Sequence, residues 1–227
     1  MAAQCQHGFS SEDPISVPAV GEKGPRSEQD LSEYLALEGG DGTGKSTVAE
    51  GLGSRLEAMG HEVVMVREPG GTELGEVVRG LVLDSDSVAP WAEVMLFAAQ
   101  RAQLAEEVIR PAMARGAWVV SDRTYYSSIA YQGRARGLGE DLVRQINETA
   151  LRGTLPDRVF VLDVDPALAL ERQHRPDRIG REGVDFQVAV REAFRDLART
   201  EPDRVLLLDG MRSVDDLIST ILGTIEP

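Results

Sequence analysis

From Tyr34 onward, short apolar runs alternate with stretches whose apolar residues recur every three to four positions. Residues 34–38 (YLALE), 62–67 (EVVMVR), 118–121 (WVVS), 158–164 (RVFVLDV) and 204–208 (RVLLL) have the length and apolar content of buried strands. Between them a helical period runs through 45–59, 72–83, 91–114, 125–131 and 140–151, with Pro111 expected to kink or end the third of these. A last helix starts at Ser213, with Asp215 and Asp216 in its first turn, where carboxylates suit the helix dipole. Five strands joined by helical crossovers predict an α/β fold, a five-stranded parallel sheet flanked by helices on both faces. Ligands of such sheets bind at the carboxyl ends of the strands, so the chemistry is expected just after each strand.

Residues 1–33 carry no such period. They are rich in Ser, Gly, Pro, Gln and acidic residues and read as a flexible tail ahead of one domain at 34–227. At 227 residues and 42% hydrophobic, the chain has material for one core. Its net charge of −14 leaves no broad basic surface for a nucleic-acid partner, so any phosphate must be met by local positive groups. The single cysteine, Cys5, cannot close an internal disulfide, and no apolar run approaches the roughly 20 residues a membrane helix needs. With no basic segment followed by an apolar one at the start, a cytoplasmic protein without a membrane partner is expected. Only Lys23 and Lys45 are lysines and all other basic side chains bar the histidines are arginines, so a lysine inside the folded part stands out.

That lysine closes the sharpest motif. Gly39-Gly40-Asp41-Gly42-Thr43-Gly44-Lys45-Ser46, followed by Thr47, fits the phosphate-binding P-loop pattern between a strand and a helix. The glycines let backbone N–H groups converge on a phosphate, the helix N-terminus adds its positive end, Lys45 reaches the outer phosphates, and the Ser46 hydroxyl suits Mg²⁺. ATP with Mg²⁺ is thus the expected cofactor pair. A guanine-reading N-K-x-D cannot occur after position 45, which disfavours a GTP switch. Asp41 is an odd carboxylate for an anion cradle. It either accepts from a substrate hydroxyl, orders metal-bound water, or only favours the turn.

Arg67 ends the second strand ahead of a Pro-Gly-Gly exit turn, and Asp122-Arg123 ends the third. Asp122 can hold Mg²⁺-bound water or orient Arg123, and Arg123 can grip a phosphate bidentately. Phe97 and Arg101 share one helix face, where a ring can stack on a base and a guanidinium can donate to the base edge. Core packing for Phe97 and a solvated charge for Arg101 are the plainer alternatives.

On these residues the chain resembles the bacterial thymidylate kinases of the P-loop nucleoside monophosphate kinase family. The matching segments are GGDGTGKST, REPGGT, LVLD, EVMLFAAQRAQL, SDRTYYSSIAYQG, LPDRVFVLDVDP and DRIG, in family order from about residue 34. The resemblance implies transfer of the γ-phosphoryl group of ATP to dTMP. It implies that Phe97 stacks on thymine and Arg101 reads its O4 edge. It gives Arg67 and Arg123 the dTMP phosphate, Asp41 the 3′-hydroxyl, Tyr131 the crowding of the 2′ position with Gln132 beside it, and Ser128 a place against the base. It also implies a homodimer.

The family has two designs, one with an arginine inside the P-loop. Gly42 stands at that position, so a lid at about 172–184 is expected to supply the positive charge instead. Arg172, Arg175, Arg178 and Arg181 recur there every three residues, and on a helix that spacing gives roughly one face. Arg178 best matches the family lid as the catalytic arginine and Arg175 is next. The rival readings are a kinase for another nucleotide or for a deoxynucleoside, and a nucleotide-binding regulator without transfer.

Overall fold

The structure, a computed structural model, describes residues 32–172 and 177–225, so the tail expected at 1–33 falls almost wholly outside the described residues. The elements run β1 (Tyr34–Glu38), α1 (Lys45–Ala58), β2 (Val63–Arg67), α2 (Glu73–Asp84), α3 (Pro90–Leu104), α4 (Arg110–Ala114), β3 (Trp118–Asp122), α5 (Tyr125–Ser128), α6 (Glu140–Leu151), β4 (Arg158–Asp163), α7 (Pro166–Glu171), α8 (Val184–Thr200), β5 (Val205–Asp209) and α9 (Val214–Ile225). All five strands pair in parallel in the order β2-β3-β1-β4-β5. The central strand β1 is buried throughout, as an all-apolar run predicts, whereas the edge strand β2 is only partly covered.

Alternate side chains of β1 serve opposite layers. Leu35 and Leu37 pack with Val48, Leu52 and Leu56 of α1 and with Leu217 and Ile221 of α9. On the other face, Ala36 joins a core built from α2, α3, α5 and α8 that includes Tyr125, Ile129 and Phe194. Full burial of each Leu contributes roughly 1.5–3 kcal/mol, so the β1 end that carries the P-loop is anchored from both sides.

The strands fall within a residue of their expected bounds, but three helical expectations need correction. Pro111 does not end its helix. A π-helical turn at Ala105–Ile109 widens the chain before it, and Pro111 then lies in the first turn of α4, where a missing N–H is tolerated. The expected helix at 125–131 stops as α-helix at Ser128 and continues as a π-helix, Ile129–Ala135. The long helix α8 was not anticipated, nor was the short α7. Phe186, Val190, Ala193, Phe194 and Leu197 give α8 one inward face at helical spacing.

Candidate active site

The P-loop bends between β1 and α1 because its glycines accept backbone shapes other residues resist. Gly39 has φ +137°, and a Cβ there would lie 2.8 Å from the Leu162 carbonyl oxygen. Gly42, where an arginine would mark the other design, has φ +81°. Lys45 curls back over the loop, donating from Nζ to the Gly40 carbonyl at 3.0 Å and lying 3.8 Å from the Asp41 carboxylate. Burial, together with the Arg123 charge, pulls the Lys45 ammonium down to about 8, although Asp41, Asp122 and Glu38 pull the other way. An anionic phosphate in the loop would favour its protonated form.

Ser46 Oγ donates to Asp122 Oδ2 at 2.5 Å, while Asp122 Oδ1 is buried with no hydrogen-bond partner. An inward carboxylate oxygen without a donor, beside a hydroxyl, suits a hard divalent cation. No cluster of three or more His, Cys, Asp or Glu suited to a metal occurs among the described residues. A cation here would therefore share its coordination with nucleotide phosphates and water, as Mg²⁺ commonly does.

Across a cleft of about 690 Å³ from Lys45 lie the side chains expected on the acceptor side. Arg123 sits at φ +73°, a shape that a non-glycine residue keeps only when held. Its Nη1 donates to Gly39 O at 3.1 Å and Ser127 Oγ at 2.9 Å, and its Nη2 donates to the Asp41 carboxylate and, at 3.3 Å, to Tyr131 Oη. The guanidinium also stands 5.2 Å from the centre of the Tyr131 ring. Burial raises the Asp41 carboxyl, but the Arg123 and Lys45 charges outweigh it and hold that carboxyl below the usual range. Asp41 is thus a carboxylate clamped by cations, not merely a turn former.

Arg67 projects from the end of β2 and is held by both oxygens of Glu76 at 3.0 Å, half-exposed to the cleft. The turn after it is fixed by Arg79 Nη1 donating to Pro69 O at 2.8 Å and by Glu68 N donating to Asp122 O at 3.0 Å. Arg101 is no solvated charge. Its side chain is 1% exposed, with Nε on Glu68, Nη1 donating to Ser128 Oγ at 2.8 Å and Asn147 Oδ1 at 2.6 Å, and Nη2 donating to Thr124 O at 3.1 Å. Four of its five donor hydrogens are spent on protein, which leaves one for a ligand. Phe97, Ser128, Tyr131 and Gln132 line the same cleft, and Gln132 Nε2 donates to Glu93 Oε1 at 2.7 Å.

The lid expectation needs correction at Arg178. Its Nε and Nη2 donate to the Val82 carbonyl at 3.0 and 2.8 Å, and Nη2 also bonds Glu93, so the guanidinium is engaged with α2 and α3. The cause is the fully buried Glu93, which also accepts from Arg136 and Gln132 and needs positive partners. Nor do Arg172, Arg178 and Arg181 share a helix face: Arg172 follows the end of α7, residues 178–181 form turns, and α8 starts only at Val184. Arg175 lies outside the described residues. Sequence reasoning also missed the carboxylates that hold the arginines, Glu38, Glu68, Glu76 and Glu93. Glu38 gave a signal, a carboxylate ending an otherwise apolar strand.

A P-loop on the central strand, facing an arginine-lined pocket across one cleft of a 2-3-1-4-5 parallel sheet, defines the P-loop nucleoside monophosphate kinase class. The model of the family described as thymidylate kinase matches residues 37–221, and the chain belongs to that family. It is 45% identical over 197 residues to a thymidylate kinase of Deinococcus radiodurans, covering 85% of this chain and 96% of that one. It is 44% identical over 199 residues to a thymidylate kinase of Bifidobacterium longum, covering 85% and 97%. A solved thymidylate kinase of Ehrlichia chaffeensis superposes with a TM-score of 0.74 at 28% identity, covering 86% of this chain and 99% of that one.

Proposed function

We propose that the two ends of this cleft are the donor and acceptor sites of a phosphoryl transfer between nucleotides. The chain is an ATP-dependent kinase that phosphorylates dTMP to dTDP, with ADP as the other product. The observation that carries the division of roles is that Lys45 and the three arginines Arg67, Arg101 and Arg123 face one continuous cleft.

In this reading the backbone of residues 39–47 and Lys45 hold the ATP phosphates. Mg²⁺ is held by Ser46 and Asp122, and when bound it neutralises charge on the phosphate oxygens. Arg67 and Arg123 hold the acceptor phosphate, which is already ionised and needs no base. Phe97 stacks on thymine, the spare Arg101 donor meets O4, and Ser128 steadies Arg101 beside the base. Asp41 exchanges part of its bonding to Arg123 for the sugar 3′-hydroxyl. Tyr131, with Gln132 behind it, fills the 2′ side. Catalysis is then positioning and charge neutralisation by Lys45 and Arg123, completed by an arginine of the 172–184 segment other than Arg178.

The enzyme works as a homodimer in the cytoplasm. Leu74, Val77 and Leu81 on α2 and Trp91 and Met95 on α3 are exposed apolar side chains on two helices packed against each other, a surface suited to a second copy. No helix among the described residues is long and apolar enough to cross a membrane. The test is a transfer assay with γ-labelled ATP and dTMP, in which label must appear in dTDP. ATP binding without transfer would instead leave a nucleotide-binding regulator.

A further inference from the structure

Glu38 is the last residue of β1, directly before the P-loop, and its side chain has 0% exposure. It takes no part in the cleft wall. A carboxylate so buried is costly unless its oxygens are filled by donors. Oε1 accepts from Thr124 N at 2.8 Å, Thr124 Oγ1 at 2.9 Å and Ser127 N at 3.1 Å, and Oε2 accepts from Ser127 Oγ at 2.6 Å. Every one of these donors belongs to Thr124, the cap of α5, or to Ser127 within that short helix, just after Arg123.

The Ser127 hydroxyl makes the connection directional. Its one proton is committed to Glu38, so its lone pairs face Arg123, whose Nη1 donates to it at 2.9 Å. The Glu38 carboxylate itself stands 4.0 Å from that same nitrogen. The strained φ of +73° at Arg123 is therefore held from behind by a fixed carboxylate, while its other carboxylate partner, Asp41, lies in the cleft wall where a substrate can reach it.

We propose that Glu38 is a positioning residue for acceptor binding, acting through the Ser127 hydroxyl to hold the Arg123 guanidinium at the acceptor phosphate. This rests on the phosphoryl-transfer reading above. Asp41 is then the exchangeable partner of Arg123, and Glu38 with Ser127 the permanent one. An amide cannot replace the carboxylate, because its NH₂ would donate to Ser127 Oγ. That would displace the hydroxyl proton towards Arg123 and reverse the polarity of the chain.

The test is a double-mutant cycle of Glu38→Gln and Arg123→Lys on the full chain, with the KM for dTMP, the KM for ATP and Tm read for all four proteins. Activity of the unsubstituted protein on dTMP establishes the phosphoryl-transfer reading independently of the cycle. Glu38→Gln is expected to raise the KM for dTMP about tenfold, the order of one lost charge-assisted hydrogen bond, and to leave that for ATP within about twofold. With Lys at 123, the same Glu38→Gln change should move the KM for dTMP by less than about twofold, because the guanidinium it orients is gone. Equal fold-losses in both backgrounds, equal rises for both substrates, or no change would overturn the proposal. If Glu38→Gln does not fold, Ser127→Ala takes its place in the cycle with the same outcomes, since it removes the linking hydroxyl and leaves Glu38 its Thr124 donors.

Discussion

Lys45 is both the phosphate-binding cation and a buried charge that donates to the Gly40 carbonyl and lies 3.8 Å from the Asp41 carboxylate. Its folded pKa of about 8 lies below the unfolded value of 10.5, so the unfolded chain holds the proton more tightly. The resulting destabilisation is fully present below pH 8 and fades as pH rises from 8 to 10.5. Lys45→Met should accordingly raise Tm without nucleotide at pH 7, by a margin that shrinks above pH 8, while phosphoryl transfer falls at least about a hundredfold. Differential scanning calorimetry across that range and a turnover assay check both signs. Arg101 carries a second residue-scale expectation. Arg101→Ala strips the buried Glu68 of its partner and should cost about 3–5 kcal/mol in a denaturant titration, besides raising the KM for dTMP. A loss of dTMP binding with unchanged stability would contradict the buried network. At this scale the P-loop was readable because its parts are consecutive. The burial of Arg101 was not, since its partners at 68, 128 and 147 are brought together only by the fold.

At the scale of elements, the strands were readable from their apolar runs, because a central parallel strand is covered on both faces and needs no alternation. The failure lay between β4 and β5. The arginine spacing drew the reading towards a helical lid, although residues 178–181 form turns, while the apolar face of α8 just beyond went unread. Arg178 shows the consequence. It ties residue 178 to the end of α2 through Val82 and to α3 through Glu93. Arg178→Ala should lower Tm by several degrees, leaving a buried Glu93 with fewer partners, and should lower kcat far less than the strongest of Arg172→Ala, Arg175→Ala and Arg181→Ala. Comparing kcat with ATP affinity across the four variants checks this. A kcat loss confined to Arg178→Ala would restore it as the phosphoryl-facing arginine.

For the whole molecule, an acidic chain of net charge −14 binds two anionic nucleotides by keeping its cations in one cleft, each steadied by a carboxylate. None of the exposed apolar side chains Leu74, Val77 and Leu81 of α2 and Trp91 and Met95 of α3 lines that cleft. If the proposed homodimer uses that surface, Trp91→Asp on it should shift the protein from dimer to monomer in sedimentation velocity, and an unchanged sedimentation coefficient would place the contact elsewhere. The central claim is that the arginine-lined end of the cleft accepts dTMP, with Arg101 at its 4-oxo edge and Arg67 and Arg123 at its phosphate. The most direct measurement is kcat/KM with ATP and Mg²⁺ across dTMP, dUMP, dCMP, dAMP, dGMP and thymidine. The account predicts the highest value for dTMP, a value for dCMP lower by at least about tenfold because its 4-amino group meets the spare Arg101 donor with another donor, and no measurable turnover of thymidine, which lacks the phosphate that Arg67 and Arg123 hold. Equal or better use of dCMP or of thymidine would contradict it.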